Sequence, residues 1–363
     1  MNIKSIIYHV YTRYLLKKWH MKWGGASILA SSFIRDYRES SNFFEVFSAH
    51  RKGFSASDWK IMGLNKENCG AYISNAQYYA KHPFNGQYSK WIDDKLTLKY
   101  LCAGTSVDKY LPAYYFMLND KGQVLQLIDC PKDLPQNEVE GIIELLKVKR
   151  YLAIKRISGS IGEGFYKAEF IDNCFYLNGI ALNKDDFAEQ VKSLRDYIII
   201  EYLFPHESLA KYCPNTCNCI RYLVGRIDGS LKMIKGYIRF GTAQSGFVEN
   251  YNTGGVLCYL NAEGYFKDGN VLKPGTCKNV RITRHPDSNM LLEGQIPQWD
   301  GLLELVSGLD VLFPQLDYMG IDIVITSEHE VKMLEINSLT SLDTIQLIEP
   351  VTDNRIISFL TEY

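Results

Sequence analysis

The stretch that decides the fold is Gly320-Ile-Asp-Ile-Val-Ile-Thr-Ser-Glu-His-Glu-Val-Lys-Met-Leu-Glu-Ile-Asn337. Two apolar runs flank a short polar segment, and this pattern predicts a β-hairpin. If the turn is centred between residues 328 and 329, Asp322 lies directly opposite Glu335. The Cβ atoms of such a pair are about 5 Å apart. Asn337 follows Glu335 by two residues and therefore shares its face of the sheet.

Two facing carboxylates are costly inside an apolar sheet unless something positive lies between them. Strict alternation puts Val324, Val331 and Met333 on the same face, which favours a buried site over an exposed face where two acids merely coexist. A divalent cation with oxygen ligands fits this arrangement, and Mg²⁺ prefers sites that it shares with phosphates. We therefore predict that the two acids and Asn337 bind Mg²⁺ or Mn²⁺.

A glycine-rich loop, Ser158-Gly-Ser-Ile-Gly-Glu-Gly164, joins predicted strands at residues 151–157 and 165–171. The loop does not match the dinucleotide fingerprint, and the sequence contains no G-x-x-x-x-G-K-[ST] motif. Its backbone N–H groups could instead close over phosphates as a flap, with Lys155 on the strand before it. Taken alone, the loop is equally compatible with an ordinary turn. The proposed flap residues are Ser158, Gly159, Ser160, Gly162 and Gly164.

The segment Ile200-Glu-Tyr-Leu-Phe-Pro-His-Glu207 ends a β-branched run. A buried strand followed by a proline turn and a second acid is similar to the hinge that holds an adenine. The backbone of Glu201 and Leu203, on either side of Tyr202, would contact the edge of the base. The carboxylates of Glu201 and Glu207 would take the amino group and the ribose hydroxyls.

The composition is that of an ordinary globular protein. A length of 363 residues predicts two or three domains. The 40 basic and 41 acidic residues leave a formal charge of −1, which argues against a general nucleic-acid binder. The sequence has no apolar run of about 18 residues, so we expect no transmembrane helix. Nine cysteines, an odd number, are typical of reduced thiols, and we expect a cytoplasmic protein.

The first 23 residues carry five lysines and arginines and no acid, with apolar residues at helical spacing. Two interpretations remain open for them: a helix packed on the rest of the protein, or a helix lying on an anionic membrane surface at the inner face of the membrane. We divide the chain into a helical and loop-rich region at 1–90, a small α/β unit at 91–200 and a larger unit at 201–363. The fold class is α/β or α+β.

The hairpin, the flap and the hinge, in this order along the chain, resemble the ATP-grasp superfamily. The resemblance covers about residues 91–345 and implies that a small lid domain and a larger domain clamp ATP between them. By position, Lys95 and Lys155 are similar to the family's two phosphate lysines. The metal ligands match in spacing, with a gap of thirteen residues and then two. The family often has an arginine where this sequence has Gly320, so another arginine would have to serve the phosphates.

Three further motifs resemble the sugar-transfer-associated ATP-grasp branch, whose members are linked to capsule and other surface polysaccharides. They are Asn218-Cys-Ile-Arg221, Ile238-Arg-Phe-Gly241 and Val248-Glu-Asn-Tyr-Asn-Thr-Gly-Gly255, with Cys219 and Glu249 in place of the usual threonine and aspartate. Arg221 and Arg239 would form a clamp on a phosphate or carboxylate, although strand arginines also make surface ion pairs. The substrate candidates are Asn218, Asn250, Asn252, Gly254 and Gly255.

The resemblance implies ATP-dependent activation of a carboxylate as an acyl phosphate, which an amine then attacks. The first functional hypothesis is a carboxylate–amine ligase that amidates a sugar acid or amino acid, or its nucleotide-linked or lipid-linked form, for a surface polysaccharide. The second is a phosphotransferase that stops at phosphoryl transfer. The third is a nucleotide-binding scaffold without turnover, located at a membrane.

Overall fold

The computed structural model describes residues 3–39, 42–136, 138–158, 164–246, 248–273, 276 and 278–362. Within these residues, a helical N-terminal region precedes two antiparallel sheets, each with helices against it. The predicted flap positions Gly159, Ser160 and Gly162 lie outside the described residues. None of the helices in the described part of the chain has the length and apolar character needed to cross a bilayer.

Side-chain caps begin several helices of the N-terminal region, because Asn42, Ser55 and Ser74 each accept a hydrogen bond from a backbone N–H in the first helical turn. The first helix buries Leu15 against the second, so this basic segment packs on the protein along one side. The helices are α1 (Ile3–Lys18), α2 (Trp23–Glu39), α3 (Phe43–Arg51), α4 (Ala56–Ile61), α5 (Asn75–Lys81), α6 (Lys90–Asp93) and α7 (Lys95–Cys102).

The smaller sheet has the strand order β2-β1-β7-β3-β4-β5-β6. Its core lies under two helices whose apolar faces include Ile142, Leu146 and Phe187. The strands are β1 (Tyr114–Leu118), β2 (Val124–Gln126), β3 (Tyr151–Arg156), β4 (Tyr166–Ile171), β5 (Cys174–Leu177), β6 (Ile180–Leu182) and β7 (Tyr197–Glu201), and the helices are α8 (Val139–Lys149) and α9 (Lys184–Ser193).

The larger sheet has nine strands, with the path β13-β12-β10-β9-β8-β15-β16 and with β11 and β14 attached beside β10. Its strands are β8 (Ile220–Ile227), β9 (Ser230–Phe240), β10 (Val256–Leu260), β11 (Tyr265–Lys267), β12 (Gly269–Leu272), β13 (Asn279–Ile282), β14 (Glu293–Gln295), β15 (Tyr318–Ile325) and β16 (Val331–Asn337). Its helices are α10 (Glu207–Ala210), α11 (Trp299–Leu312), α12 (Leu342–Ile345) and α13 (Asn354–Thr361).

The segment before the smaller sheet packs on the other side of the molecule. Ile92, Leu98, Cys102 and Val107 belong to the apolar core of the larger sheet, together with residues of α11 and β15. We had grouped residues 91–111 with the lid because a helix followed by a strand is typical of a small α/β unit. These four side chains have their partners under the larger sheet, whereas Leu96 packs against the smaller sheet, which begins at Tyr114.

The N-terminal helices are joined to the end of the chain. The Gln346 side chain pairs with the backbone of Ile73, accepting from its N–H at 3.1 Å and donating to its carbonyl at 2.6 Å. The hydroxyl of Tyr78 on α5 lies 2.7 Å from that of Tyr318 on β15. Helix α13 also packs against α5. Contacts between residues that are more than 200 positions apart thus fix the N-terminal region to the larger sheet.

Candidate active site

A cleft of about 380 Å³ lies between the two sheets. The smaller sheet contributes Lys155, the connection between the sheets contributes residues 201–203, and the larger sheet contributes the opposite wall. The predicted site residues that line this cleft are Lys155, Glu201, Tyr202, Leu203, Arg221, Arg239, Asn250, Asn252, Asp322, Glu335 and Asn337.

The hairpin of β15 and β16 pairs Asp322 with Glu335, as the sequence predicts, and Asn337 with Gly320. The centre of the turn lies half a residue earlier in the sequence than we placed it. Leu334 is an extra, bulged residue of β16, and it shifts the register so that Asp322 still pairs with Glu335. A bulge lets two consecutive residues face the same side of a strand, and both Leu334 and Glu335 line the cleft.

The same bulge corrects one prediction. Val331 and Met333 were expected on the face of Asp322, but they pack in the apolar core with Ile323, on the opposite face of the sheet. Strict alternation fails here because Leu334 is the extra residue of β16. The wall around the acids is accordingly more polar than the sequence indicated.

Asp322 is buried and ion-paired with two arginines. The Nε of Arg221 donates to one oxygen of its carboxylate, and the Nη2 of Arg221 donates to the other at 2.9 Å. The Nη2 of Arg239 donates to the second oxygen at 3.3 Å. Burial alone would raise the pKa of Asp322, but the two guanidinium charges and their hydrogen bonds outweigh burial and hold this pKa below its ordinary value of 3.8.

Gly320 leaves no room for a side chain at the position where the family often has an arginine. A Cβ there would stand 2.3 Å from Cγ2 of Thr340, whereas the nearest atom of Arg221, Nη1, would be at an ordinary contact distance of 3.4 Å. Arg221 pairs with Asp322 in the strand register of β8 and β15, so the guanidinium beside this position comes from the neighbouring strand.

Two lysines approach the second acid from the other side. The Nζ of Lys95 lies 2.9 Å from Oε2 of Glu335, and the Nζ of Lys155 donates to the carbonyl of Leu334 at 3.4 Å. Burial, followed by the nearby charge of Lys95, lowers the pKa of Lys155 from 10.5 to about 8. From the sequence we expected a metal ion to supply the positive charge between the two acids. The protein itself pairs Asp322 with Arg221 and Arg239, and Glu335 with Lys95.

The connection between the sheets leaves β7 at Glu201 and continues without regular structure, with Leu203 buried. The carboxylate of Glu201 accepts a hydrogen bond from the N–H of Ala113 at 3.1 Å, and the carbonyl of Leu203 lies 3.5 Å from the thiol of Cys217. The ring of Tyr202 packs against Tyr151 at a centroid distance of 6.1 Å. These contacts fix residues 201–203 along one end of the cleft.

Glu207 lies outside the cleft. Its side chain is 71% exposed at the start of α10, where Oε2 is 3.6 Å from Nδ1 of His206. We had expected it to contact a ribose, but the proline turn carries it to the outer surface. Glu249, which is half-buried, is a further acid of the cleft wall, and desolvation raises its pKa although the charge of Arg239 opposes this.

Asn218 is also a structural residue. It is fully buried, and its Nδ2 donates to the carbonyls of Leu209 at 3.2 Å and Cys213 at 2.8 Å. Its Oδ1 accepts a hydrogen bond from the Thr216 hydroxyl at 3.1 Å. All of its polar atoms therefore serve the loop after α10, and the expected contact with a substrate is not available to this side chain.

The two glycines of the last motif shape the loop that carries Asn250 and Asn252. Gly254 has a φ of +107°, which favours glycine, and a Cβ at Gly255 would stand 2.6 Å from the carbonyl oxygen of Glu249. Neither glycine lines the cleft, so both act by positioning the loop. Of the described flap residues, Ser158 is exposed and Gly164 has a φ of +75°.

Sequence reasoning missed part of the wall beyond the acids. This part contains hydroxyl groups next to Arg221 and Arg239, and no motif that we quoted includes them. Glu249 could have been found, since it stands at the aspartate position of a motif that we did quote. The missed lining residues are Cys217, Cys219, Tyr237, Glu249, Thr340, Ser341 and Thr344.

The cleft fits a nucleotide with a hard divalent cation. The acids and Asn337 supply the carboxylate and amide oxygens that Mg²⁺ prefers, on adjacent strands. The buried Nε–H of Arg239 has no hydrogen-bond partner among the described residues, which leaves a donor for an anion. Four cationic side chains meet four carboxylates, counting Glu201 and Glu249, and the four cations converge on the paired acids of the hairpin. Bound Mg²⁺ would neutralise part of the negative charge of the phosphates.

Several solved structures are similar to parts of this chain at low sequence identity. D-alanyl-alanine synthetase A from Vibrio cholerae matches with 11% identity over 75% of this chain and 65% of its own, at a TM-score of 0.41. The ATP-grasp ligase PsnB matches with 12% identity over 75% of this chain and 62% of its own, at a TM-score of 0.38. This chain thus spans less than two thirds of either protein.

No curated protein matches the chain. A sequence model of the family described as sugar-transfer associated ATP-grasp matches residues 74–355, which is more than half of the chain. ATP-grasp enzymes use ATP with a divalent metal ion, and the cleft described above lies within the matched residues. The chain belongs to the sugar-transfer associated ATP-grasp family.

Proposed function

We propose that the protein is an ATP- and Mg²⁺-dependent carboxylate–amine ligase. The observation that carries this proposal is the convergence of Lys95, Lys155, Arg221 and Arg239 on the paired acids of the β15–β16 hairpin. Such a group of cations suits a reaction in which negative charge moves from a triphosphate to an acyl phosphate and then to free phosphate.

In the proposed reaction, a carboxylate oxygen of the substrate attacks the γ-phosphorus of ATP, and the bond to ADP breaks. An amine then attacks the acyl carbon, phosphate leaves with the electron pair of the C–O bond, and the amine loses a proton. Lys155 and Lys95 would bind the phosphates, and Arg221 and Arg239 would orient the substrate carboxylate and then the acyl phosphate. Mg²⁺ would be held by Asp322, Glu335 and Asn337.

The adenine would bind along residues 201–203, where the backbone turns at one end of the cleft. Tyr202 and its ring contacts would support one face of the base. Glu249, a half-buried acid of the cleft wall, would contact the ribose, which is the role that we first gave to Glu207. Ser158, Gly164 and the loop between them would cover the phosphates.

We further propose that the substrate is a sugar acid or an amino acid destined for a surface polysaccharide. The hydroxyl-bearing wall beyond the arginines supports a polyhydroxylated substrate, because Tyr237, Ser341 and Thr344 can hydrogen-bond to sugar hydroxyls. Asn250 and Asn252 line the same side and offer both donors and acceptors.

Peripheral contact with a membrane would bring the enzyme to a lipid-linked substrate. Leu15 packs α1 on the protein, but Val10 remains 63% exposed among the basic residues of this helix. A second exposed group on α3 supports the proposal: the rings of Phe43 and Phe47 lie 6.1 Å apart, and Phe44 is 83% exposed. Aromatic rings beside basic residues suit the interface of an anionic bilayer.

The test is product analysis with ATP, Mg²⁺ and a panel of uronic acids, amino acids and their nucleotide-linked forms, read by mass spectrometry. Hydroxylamine separates the two leading hypotheses, because it converts an acyl phosphate to a hydroxamate, whereas the phosphate ester made by a kinase gives none. If the substrate carboxylate is labelled with ¹⁸O, a ligase transfers one labelled oxygen to the released phosphate. ADP formation with neither signature would contradict the ligase proposal and favour a phosphotransferase.

A further inference from the structure

The carboxylate of Glu335 has a cation of the protein beside it. The Nζ of Lys95 lies 2.9 Å from Oε2, and Nδ2 of Asn337 donates to Oε1 at 3.3 Å. Lys95 is buried, whereas the Glu335 side chain is 24% exposed, so this ion pair stands at the border between the protein interior and the cleft. A metal ion that uses Glu335 would have to share the carboxylate with an ammonium group.

The helix that carries Lys95 is held between the two sheets. Its first turn is capped by Asp94, which accepts a hydrogen bond from the N–H of Thr97 at 2.7 Å. Leu98 packs in the core under the larger sheet, and Leu96 packs against the smaller sheet. Helix α7 therefore contacts both walls of the cleft.

A second lysine anchors α7 one turn further on. The Nζ of Lys99 lies 2.9 Å from Oδ2 of Asp129 and 3.2 Å from Oδ1 of Asp108. Oδ2 of Asp129 also accepts the N–H of Tyr114, the first residue of β1, at 2.7 Å. Because these contacts fix the backbone of α7, a change in the partner of Lys95 has to come from its flexible side chain.

The charge of Lys95 also acts on the other lysine of the cleft. After burial, it is the next cause that lowers the pKa of Lys155 to about 8. A triphosphate would relieve the repulsion between the two lysines by attracting both. A divalent ion by itself would have the opposite effect, because it would bring further positive charge to a carboxylate that Lys95 already neutralises.

We propose that Lys95 makes metal binding conditional on the nucleotide. Its ammonium group competes with a divalent ion for Glu335 until the phosphates of ATP attract it. The inference rests on the proposed function in one respect, namely that Asp322, Glu335 and Asn337 hold the metal beside ATP. By linkage, a lysine that opposes the metal alone, but not the metal together with ATP, raises the affinity of each ligand in the presence of the other.

The experiment measures binding and not turnover. The full-length protein, freed of metal, is titrated with Mn²⁺ alone, with unbound Mn²⁺ measured by electron paramagnetic resonance, and separately with ATP alone by calorimetry. The test variant is Lys95→Met, and Lys95→Arg keeps the charge. The control is Lys332→Met, which also removes one positive charge: the Nζ of Lys332 lies 3.2 Å from Glu330 on the same hairpin, and neither residue lines the cleft.

We expect Mn²⁺ alone to bind the wild type with a Kd of about 1 mM or weaker. Lys95→Met should bind Mn²⁺ about tenfold more tightly and ATP several-fold more weakly. A purely structural role of Lys95 predicts that both affinities fall, so a change of opposite sign identifies the competition. Lys95→Arg and Lys332→Met should keep the wild-type affinity for Mn²⁺.

Equal or weaker Mn²⁺ binding by Lys95→Met would overturn the proposal. If this variant fails to fold, the wild type decides the matter, because a micromolar Kd for Mn²⁺ without ATP would show that Lys95 does not oppose the metal. Glu335→Gln separates the inference from the metal assignment. If Glu335→Gln loses the gain in ATP affinity that Mn²⁺ gives, while Lys95→Met behaves as the wild type, the metal site stands and only the competition fails. If Glu335→Gln keeps that gain, both fail.

Discussion

Replacing Asp322 by asparagine tests the ion pairs and the metal site together. In the wild type, one buried carboxylate accepts hydrogen bonds from both Arg221 and Arg239. The amide that replaces it has no charge and only one acceptor oxygen, so two buried guanidinium groups lose their counter-ion. Removing one member of a buried ion pair costs about 3–5 kcal/mol. We expect the variant to lose about 3 kcal/mol of unfolding free energy and roughly 5–10 °C in melting temperature.

The pH dependence has a definite sign. The folded-state pKa of Asp322 lies below its ordinary value of 3.8, so the carboxylate stabilises the folded state. This contribution is fully present above the unfolded-state pKa and is lost as the pH falls through the folded-state pKa. The stability difference between the wild type and Asp322→Asn should therefore be constant near neutral pH and shrink below about pH 4.

The assay pairs differential scanning fluorimetry with calorimetric ATP titrations in the presence and absence of Mg²⁺. We expect Asp322→Asn to lose most of the gain in ATP affinity that Mg²⁺ gives the wild type. Asp310→Asn is the matched control, because Asp310 pairs with Arg226 away from the cleft. It should lose stability and keep the full effect of Mg²⁺.

Two outcomes would refute parts of this reasoning. If Asp322→Asn has the same melting temperature as the wild type, the two arginines do not depend on this carboxylate. If the variant is destabilised but binds MgATP as the wild type does, Asp322 is a structural acid, and the metal assignment fails together with most of the proposed mechanism.

Three further predictions concern other parts of the molecule. The protein should take up roughly 0.7 proton on binding ATP at pH 8.5, because the phosphates favour the charged form of Lys155, whose pKa is about 8. Calorimetry in buffers of different ionisation enthalpy measures this proton uptake, and Lys155→Met should abolish it. Asn218→Ala should cost about 1–3 kcal/mol in urea unfolding, because it removes the donor to the Cys213 carbonyl and one of the two donors to the Leu209 carbonyl. Phe44→Ser should weaken flotation with anionic phospholipid vesicles, whereas Tyr265→Ser, at a distant exposed ring, should not; equal flotation of all three proteins would leave α3 without a membrane role.

Much of the fold could be predicted from local patterns. The strands before and after the glycine-rich loop and the hairpin of β15 and β16 agree with the predicted elements, because each depends on periodicity or turn chemistry within a few residues. The pairing of Asp322 with Glu335 was also correct, although the turn was misplaced by half a residue.

The rest depends on relations that a sequence does not display. The bulge at Leu334 changes which residues share the face of Asp322. Because that position has neither a glycine nor a charged residue, the sequence does not indicate a bulge there. Asn218 belongs to a quoted motif, but its hydrogen-bond partners are the backbone of a loop. Glu207 has the right spacing from the hinge, yet the direction of the chain after Pro205 decides where its side chain points. In each case the three-dimensional path of the backbone determines the role.

The attachment of the N-terminal helices to the last strands has a consequence for synthesis on the ribosome. Residues 3–81 emerge first, but partners such as Tyr318, Gln346 and α13 are among the last to be made. The smaller sheet, by contrast, closes on itself between Tyr114 and Glu201 and can fold while the chain is still growing. Helices α1 and α2 can pack on each other, but the apolar residues of α3, α4 and α5 that contact the larger sheet and the end of the chain must wait for those late partners. During that interval they are a natural place for a chaperone to bind, and truncation of the last 20 residues should leave them uncovered.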